Sequence, residues 1–147
     1  ADALRRGLDV IEAESARLPQ RPRVYFEEWD APIITGIRWV AELVRIAGGD
    51  DVFPELSAEP LAKARILANG DPVIERAPDI ILGSWCGKKF RPERVAARPG
   101  WEAIPAVRDG ELHEIKSPLI LQPGPAALTD GVRQIADIVQ AWAYRRR

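Results

Sequence analysis

The sequence predicts an α/β fold: a three-layer sandwich in which helices cover both faces of a mainly parallel central sheet. Strand-like and helix-like segments alternate along the chain at least three times, and such alternation is typical of parallel sheets. One short apolar run, residues 80–82, lies between Pro78-Asp79 and Gly83. An apolar run bounded by such breakers is typical of a strand that is buried on both faces.

The first third of the chain predicts a helix, a strand and a second helix. Residues 2–18 carry leucine and isoleucine at helical spacing and end before Pro19. Residues 23–29 begin with the β-branched and aromatic side chains that strands favour and end in acids. Residues 35–47 again place apolar side chains on one side of a helix, and Gly48 is suited to the left-handed position that ends helices.

The middle of the chain predicts short helices around the buried strand. Residues 61–67 and 71–76 are two helical pieces separated by an Asn-Gly turn, and a proline suits the first turn of the second piece. The buried strand, residues 79–82, follows them. Residues 91–98 predict a further helix, also with a proline at its start.

The last third of the chain predicts a hairpin and a long helix. Residues 104–107 and 111–115 are strand-like, and Asp109-Gly110 between them is a tight-turn signal. We therefore expect these two strands to pair with each other. Residues 126–144 keep a helical period of apolar side chains.

Length and composition exclude several classes of protein. With 147 residues the chain is long enough for one domain with its own core. Its 21 basic and 22 acidic residues balance, so no global field favours nucleic acid or an anionic membrane surface. No apolar run approaches the length of a membrane span. Because the chain begins at Ala1 in a helix-like pattern, we expect a mature form or a fragment.

The loops that follow the predicted strands carry the candidate site. In an open α/β sheet, ligands bind beyond the carboxyl ends of the strands. Trp29 and Trp85 lie at two of these ends, and their indole rings suit a large, partly apolar ligand. The charged side chains around them suit the polar edges of such a ligand. The other tryptophans, Trp39, Trp101 and Trp142, lie on or beside predicted helices, and we expect them in the core. The candidate ligand-binding residues are Glu27, Glu28, Trp29, Trp85, Cys86, Lys88, Lys116 and Ser117.

Catalytic readings of the same loops find less support in the sequence. Neither GxGxxG nor GxxxxGK[ST] occurs, so no phosphate-binding loop is indicated. Ser84 lies in GSWCG, which lacks the spacing of a nucleophile elbow. A thiol enzyme using Cys86 with His113, or a metal site of Cys86, His113 and Glu28, remains an alternative. Each requires separate loops to converge.

Three stretches of the chain resemble one family of transport proteins. They are RVYFEEWDAPIITGIRWVAELVRIAGGDDVFPE, VIERAPDIILGSWCGKKFRPERVAARPGW and IPAVRDGELHEIKSP. Together they resemble the C-terminal lobe of the cobalamin-type and iron-siderophore-type substrate-binding proteins of ABC transporters, and the cobalamin-binding branch is the closer match. The AGG and APD elements are shared across the superfamily, whereas EEWD and GSWCGKK look specific to a subgroup.

The resemblance implies a fold, a ligand and partners. Members are two α/β lobes joined by a long helix, with the ligand in the cleft between them. Residues 1–18 would then be the end of that helix and residues 23–147 the C-terminal lobe. The implied function is to bind cobalamin or a related corrinoid, or else a siderophore or haem. The protein would act in the periplasm and deliver this ligand to the membrane subunits of an ABC importer. No catalysis and no further cofactor are implied.

One feature of the family is missing from the sequence. Many members carry a glutamate at the start of the first lobe helix, where it docks onto the transporter. Residues 35–38, Thr-Gly-Ile-Arg, contain no acid. Docking by that route is therefore not expected from the local sequence.

Overall fold

A computed structural model describes residues 2–121 and 124–146 of the chain, without the side chains of residues 117 and 118. Among these residues, the strands are β1 (Arg23–Asp30), β2 (Ile33–Thr35), β3 (Asp50–Asp51), β4 (Ile66–Leu67), β5 (Ile80–Gly83) and β6 (Leu112–Glu114). The α-helices are α1 (Asp2–Ser15), α2 (Arg38–Ile46), α3 (Pro54–Ser57), α4 (Asp71–Arg76), α5 (Pro92–Ala96), α6 (Pro105–Arg108), α7 (Ser117–Ile120) and α8 (Val132–Arg145).

The strands form one mixed sheet that is mostly parallel, as the sequence predicts. Its order is β4-β2-β1-β5-β6, and β3 also pairs with the first residues of β1. The pairs β1–β5, β5–β6 and β1–β3 are parallel. The chain turns back after β1, so β2 runs antiparallel to β1 and β4 antiparallel to β2. The antiparallel strands therefore lie on one side of a parallel centre.

Two apolar cores lie on opposite faces of this sheet. One contains side chains from α1, α2 and α8, such as Leu43 and Val139. The other contains Tyr25 and Trp101 and lies under the shorter helices. Strand β5 contributes alternately to both, because Ile80 and Leu82 belong to the first core and Ile81 to the second. This double burial explains the uninterrupted apolar run in β5.

The predicted hairpin of residues 104–107 and 111–115 is wrong. Residues Pro105–Arg108 form helix α6, because Pro105 occupies the first helical turn, where a missing N–H costs nothing. Gly110 then adopts a left-handed φ of 72° and turns the chain. Strand β6 pairs parallel with β5, with Leu112 opposite Ile81. The Asp-Gly turn thus joins a helix to a strand.

Two segments that were predicted as helices are partly strands. The helix expected from residue 35 begins at Arg38, since residues 33–35 pair with β1 as β2. The helix expected at residues 61–67 is a 3-10 turn, Ala62–Arg65, followed by β4. In both cases long-range strand pairing outweighs local helical spacing.

The expectation for the helix-associated tryptophans is confirmed at two of three positions. Trp101 and Trp142 are buried, each in a different core. For Trp39 the expectation is wrong, because 39% of the residue is exposed. Its indole N–H donates to the carbonyl of Ile120 at 2.9 Å, so the ring lies along the surface. None of the described helices combines the length and apolarity that a membrane crossing requires.

Candidate functional site

The carboxyl ends of the parallel strands β1, β5 and β6 meet at one edge of the sheet. Glu27 pairs in register with Gly83, and Gly83 pairs with Glu114. The loops that leave these strands therefore lie side by side. We call this surface, formed by residues 29–30, 84–88 and 115–116, the carboxyl edge. It is where ligands bind in open α/β sheets.

Glu27 lies beneath the carboxyl edge and is fully buried. Arg98 donates to both of its carboxylate oxygens, at 2.7 and 2.9 Å. The hydroxyl of Tyr25 donates at 2.6 Å and the indole N–H of Trp85 at 3.0 Å. Burial raises the pKa of Tyr25 well above its ordinary value, and the Glu27 carboxylate raises it further. Glu27 is thus occupied by protein donors and organises the floor of the site.

Trp85 is also part of that floor. The residue is only 2% exposed, and its ring meets Phe90 edge-on with centroids 4.9 Å apart. The expectation that Trp85 offers an open flat surface is therefore wrong. Its ring packs in the second core because the indole N–H finds a buried acceptor in Glu27.

Lys88 lies between the two indole rings at the carboxyl edge. Its ammonium nitrogen is 4.5 Å from the centre of the Trp29 ring and 5.2 Å from that of Trp85. The two carboxylate oxygens of Asp30 lie 2.8 and 2.9 Å from the same nitrogen. Burial acts to raise the pKa of Asp30, but the hydrogen bond from Lys88 and backbone N–H groups outweigh it and lower that pKa.

Glu28 points to the other side of β1 and joins three elements. Its carboxylate accepts the Ile37 backbone N–H at 2.7 Å, just before α2, and an Arg65 N–H at 3.0 Å. Arg65 is nearly fully buried and also donates to the Thr35 carbonyl at 2.5 Å. Burial raises the pKa of Glu28, although Arg65 and the Ile37 N–H act to lower it. An acid from β1 therefore lies at the start of α2, although residues 35–38 contain none.

An open concavity of about 360 Å³ lies at the carboxyl edge. Its lining combines apolar side chains with one carboxylate and one thiol. The half-buried ring of Trp29 and the exposed Cys86 lie in it together. The lining residues are Glu28, Trp29, Pro32, Ile34, Cys86 and Leu121. Of the eight predicted site residues, three thus line one common surface.

The remaining predicted residues lie on the β6 side of the edge. The Lys116 side chain is 65% exposed, and its ammonium lies 3.1 Å from a Glu114 oxygen. The second Glu114 oxygen accepts the Phe90 N–H at 3.1 Å, which ties the loop after β5 to β6. Ser117 begins α7, but its side chain lies outside the described part of the structure.

The residues proposed for catalysis do not form one cluster. His113 lies within β6 opposite Leu82, and its ring nitrogen is 2.8 Å from Glu111. Arg145 donates to the other Glu111 oxygen. Cys86, by contrast, follows the end of β5. Among the described residues, no group of three or more His, Cys, Asp or Glu side chains is placed to hold a metal ion.

Three residues that shape the edge were not among the sequence candidates. Asp30 holds Lys88, Arg98 neutralises Glu27, and Arg65 neutralises Glu28. Asp30 follows the EEW motif directly, so its position at a strand end was a usable signal. The two arginines come from distant segments, and nothing in their local sequence distinguishes them from surface arginines.

A second, larger concavity lies away from the carboxyl edge. It is an apolar groove of about 730 Å³ between α1, α2 and the segment before α8. Leu4, Leu43 and Leu128 line it together with the exposed Trp39. We call it the α1–α2 groove. It offers apolar area but few of the polar groups that fix a ligand's orientation.

A mostly parallel α/β lobe with a concave, aromatic carboxyl edge is the architecture of a ligand-binding lobe. The comparisons with known proteins specify the class further. The family model for the periplasmic binding proteins matches residues 3–119. The chain belongs to the periplasmic binding protein family.

Relatives and solved structures agree with this assignment. The chain is 28% identical over 127 residues to the vitamin B12-binding protein of Vibrio vulnificus, covering 82% of this chain and 42% of that protein. The fold is shared with the periplasmic vitamin B12-binding protein of Vibrio cholerae, with a TM-score of 0.70, 19% identity, and coverage of 94% of this chain and 51% of that one. It is shared equally with haem-complexed IsdE of S. aureus, with a TM-score of 0.75, 21% identity, and coverage of 94% and 55%.

The coverage defines what part of such a protein the chain represents. It spans about half the length of the relatives that it matches. The structural relatives are two-lobed proteins, and this chain corresponds to one lobe.

Proposed function

We propose that the chain is the C-terminal lobe of the substrate-binding protein of an ABC importer, and that its ligand is cobalamin or a related corrinoid. The observation that carries the ligand class is the 28% identity to a vitamin B12-binding protein over most of this chain. In this proposal residues 1–18 are the end of the helix that joins the lobes. Residues 23–147 are the lobe itself.

The concavity at the carboxyl edge supports a large ligand with a flat, partly apolar surface. Trp29 offers an aromatic face, and Pro32, Ile34 and Leu121 extend the apolar area around it. Glu28 and Cys86 add one polar group each. Large ligands that are held by apolar contact and oriented by few polar groups suit such a surface.

The residues predicted to bind the ligand differ in how far they are exposed. Lys116 is largely exposed and can turn from Glu114 toward a ligand at the cost of a weak surface ion pair. Glu27 and Trp85 support the floor from below and in this lobe are shielded from contact. We therefore place direct ligand contact on Trp29, Cys86 and Lys116, with Glu28 at the edge of the concavity.

Membership of the family supports a proposal for the partners and the compartment. We propose that the protein acts in the periplasm and hands its ligand to the membrane subunits of an importer. The acid that many members use for docking is absent from residues 35–38. Glu28 lies beside that position, but its bond to Arg65 and its 16% side-chain exposure make it a poor docking group. Docking would therefore use other side chains.

Haem or a ferric siderophore is the second candidate within the same class. The observation that favours it is the fold shared with a haem-complexed protein at a TM-score of 0.75, which is no lower than that of the vitamin B12-binding structure. A planar porphyrin would also stack on Trp29. The two ligands differ in their edges, since haem carries carboxylates that would seek lysines such as Lys116.

A thiol or metal enzyme has weaker support. Such an enzyme would need a base or a second ligand beside Cys86. His113 lies within β6, and its ring is instead hydrogen-bonded to Glu111. Replacing Cys86 with serine would abolish turnover in such an enzyme and should change little in a binding lobe.

The test is calorimetric titration of the 147-residue chain with cyanocobalamin, haemin and a ferric hydroxamate at the same concentrations. Because one lobe supplies half of a cleft, we expect weak but saturable binding. The proposal predicts that cyanocobalamin binds more tightly than either alternative.

The ranking of the three ligands decides between the candidates. Tighter binding of haemin or of the ferric hydroxamate would replace the corrinoid by that ligand and leave the class of protein intact. Absence of binding by all three at millimolar concentration would contradict the ligand proposal as a whole.

A further inference from the structure

One face of the Trp29 ring is in contact with a cation of the same chain. The Lys88 ammonium lies 4.5 Å from the centre of that ring and 5.2 Å from the centre of the Trp85 ring. Asp30 completes the surroundings with two oxygens within 2.9 Å. We call the space bounded by Trp29, Trp85 and Asp30 the indole slot.

The indole slot has the chemistry of a cation-binding site. Both rings are within the roughly 6 Å at which an ammonium is attracted to an aromatic face, and indole is the strongest partner for it. The carboxylate supplies the opposite charge. Lys88 belongs to the loop after β5, whereas Trp29 and Asp30 belong to β1, so this contact holds that loop against the end of β1.

Lys88 is held there reversibly. Its side chain is 40% exposed, whereas that of Asp30 is 17% exposed. The contacts of an exposed lysine with a carboxylate and an aromatic ring are individually weak, so a ligand that contacts the ring can compete with them. The ammonium also stays within reach of water. The buried Trp85 and Glu27 below it remain in place.

We propose that Lys88 is an intramolecular competitor for the ligand: it covers the face of Trp29 in the unliganded lobe and must leave before a flat ligand can stack there. This inference rests on the proposed function, since Trp29 also lines the concavity at the carboxyl edge. It changes the role of Lys88 from a ligand contact to a specificity-determining residue. Only ligands whose contact with Trp29 outweighs that of the ammonium would bind.

The first part of the test needs no ligand. Trp39 and Trp29 are the partly exposed tryptophans, whereas Trp85, Trp101 and Trp142 are buried. A Trp39→Phe background therefore makes acrylamide quenching of fluorescence report mainly on Trp29. Lys88→Ala should raise the quenching constant about twofold, since the ring loses its cover. Lys89→Ala is the matched control, because this neighbouring exposed lysine has no ring contact among the described residues.

The second part measures affinity for cyanocobalamin by calorimetry in the same variants. Removing the competitor should strengthen binding about two- to tenfold in Lys88→Ala. Asp30→Asn should also strengthen binding, because Lys88 loses its carboxylate partner while its own charge remains. Lys89→Ala should leave the affinity unchanged.

Three results would separate the possible failures. Weaker binding in Lys88→Ala would overturn the inference, because Lys88 would then contact the ligand directly. Equal quenching in Lys88→Ala and Lys89→Ala would overturn it as well, since the ring would not be covered. Increased quenching in Lys88→Ala without cyanocobalamin binding in any variant would support the covered slot and contradict the corrinoid proposal instead.

Discussion

At the scale of single residues, neighbouring acids of β1 have separate tasks. Glu27 is fully buried and accepts four hydrogen bonds, from Tyr25, Trp85 and twice from Arg98. Glu28 joins β1 to Arg65 and the start of α2. Their alternation follows from the strand, since successive side chains point to opposite faces of a sheet.

Replacing Glu27 with glutamine should strongly destabilise the protein. The amide keeps the size of the side chain but removes the charge that neutralises Arg98, whose side chain is only 17% exposed. Breaking a buried ion pair from one side costs about 3 kcal/mol. The free energy of unfolding in urea measures this. The matched control is Glu12→Gln, which breaks the exposed pair of Glu12 with Arg45 and should cost about 1 kcal/mol or less. Equal costs would contradict the structural role of Glu27.

Glu28 should make stability fall as pH rises. Its folded pKa is raised by burial, so folding takes up a proton between the unfolded pKa of about 4.3 and the higher folded value. The contribution of Glu28 to the free energy of unfolding is fully present below its unfolded pKa and is lost as pH rises through its folded pKa. Glu28→Gln lacks this group, so the stability of the wild type relative to the variant should decrease over that interval. Urea unfolding at a series of pH values measures the difference, and an increase would contradict the raised pKa.

Asp30 provides a comparison of opposite sign. Its pKa is lowered in the folded protein. Its contribution is therefore present above the unfolded pKa and is lost as pH falls through the folded value. The stability of the wild type relative to Asp30→Asn should thus increase with pH in the acid range, in the same urea experiment.

At the scale of elements, the loop between β5 and α5 is fixed by one aromatic pair. Phe90 meets Trp85 edge-on, and its backbone N–H donates to Glu114 at the end of β6. The ring lies directly over Gly83, the last residue of β5, where a Cβ atom would fall within the ring. The strand must therefore end in glycine for the loop to close over the floor of the site.

Gly83→Ala should displace Phe90 and loosen this loop. Overpacking a buried position costs about 1–3 kcal/mol, and here the obstacle is a ring that is 1% exposed. Gly7→Ala is the matched control, because nothing lies within 4 Å of that position in α1. Alanine should stabilise that helix by up to about 1 kcal/mol. Thermal unfolding of both variants checks the contrast, and a Gly83→Ala protein as stable as the wild type would contradict it.

Sequence patterns predicted the elements whose environment is uniform along their length. The apolar run of β5 and the helical period of α8 were both recognisable, because each lies against the core throughout. The helix and strand at residues 105–114 were not predictable, since an Asp-Gly turn joins two strands or a helix and a strand equally well. Only pairing with β5 decides between them.

At the scale of the whole molecule, sheet topology predicted from the sequence which loops lie side by side. The rule that ligands bind beyond the carboxyl ends of strands selected the loops after β1, β5 and β6, and these strands end at one edge of the sheet. Which side chains point outward was not predictable, because Trp85 faces inward only through its bond to Glu27 and its contact with Phe90. Distant partners such as Arg98 decide that orientation.

Among the described residues, the carboxyl edge and the α1–α2 groove both offer an aromatic ring to a large apolar ligand. The concavity at the carboxyl edge contains Trp29, and the α1–α2 groove contains Trp39. The groove is larger, but the carboxyl edge combines apolar area with nearby charges. We propose that the ligand binds at the carboxyl edge.

The most direct test is calorimetric titration of Trp29→Leu and Trp39→Leu with cyanocobalamin, beside the unchanged chain. Losing the aromatic face at the edge should weaken binding by at least about fivefold in Trp29→Leu. Trp39→Leu should bind as the unchanged chain does. Loss of binding in Trp39→Leu, with Trp29→Leu unaffected, would place the ligand in the α1–α2 groove and contradict the account.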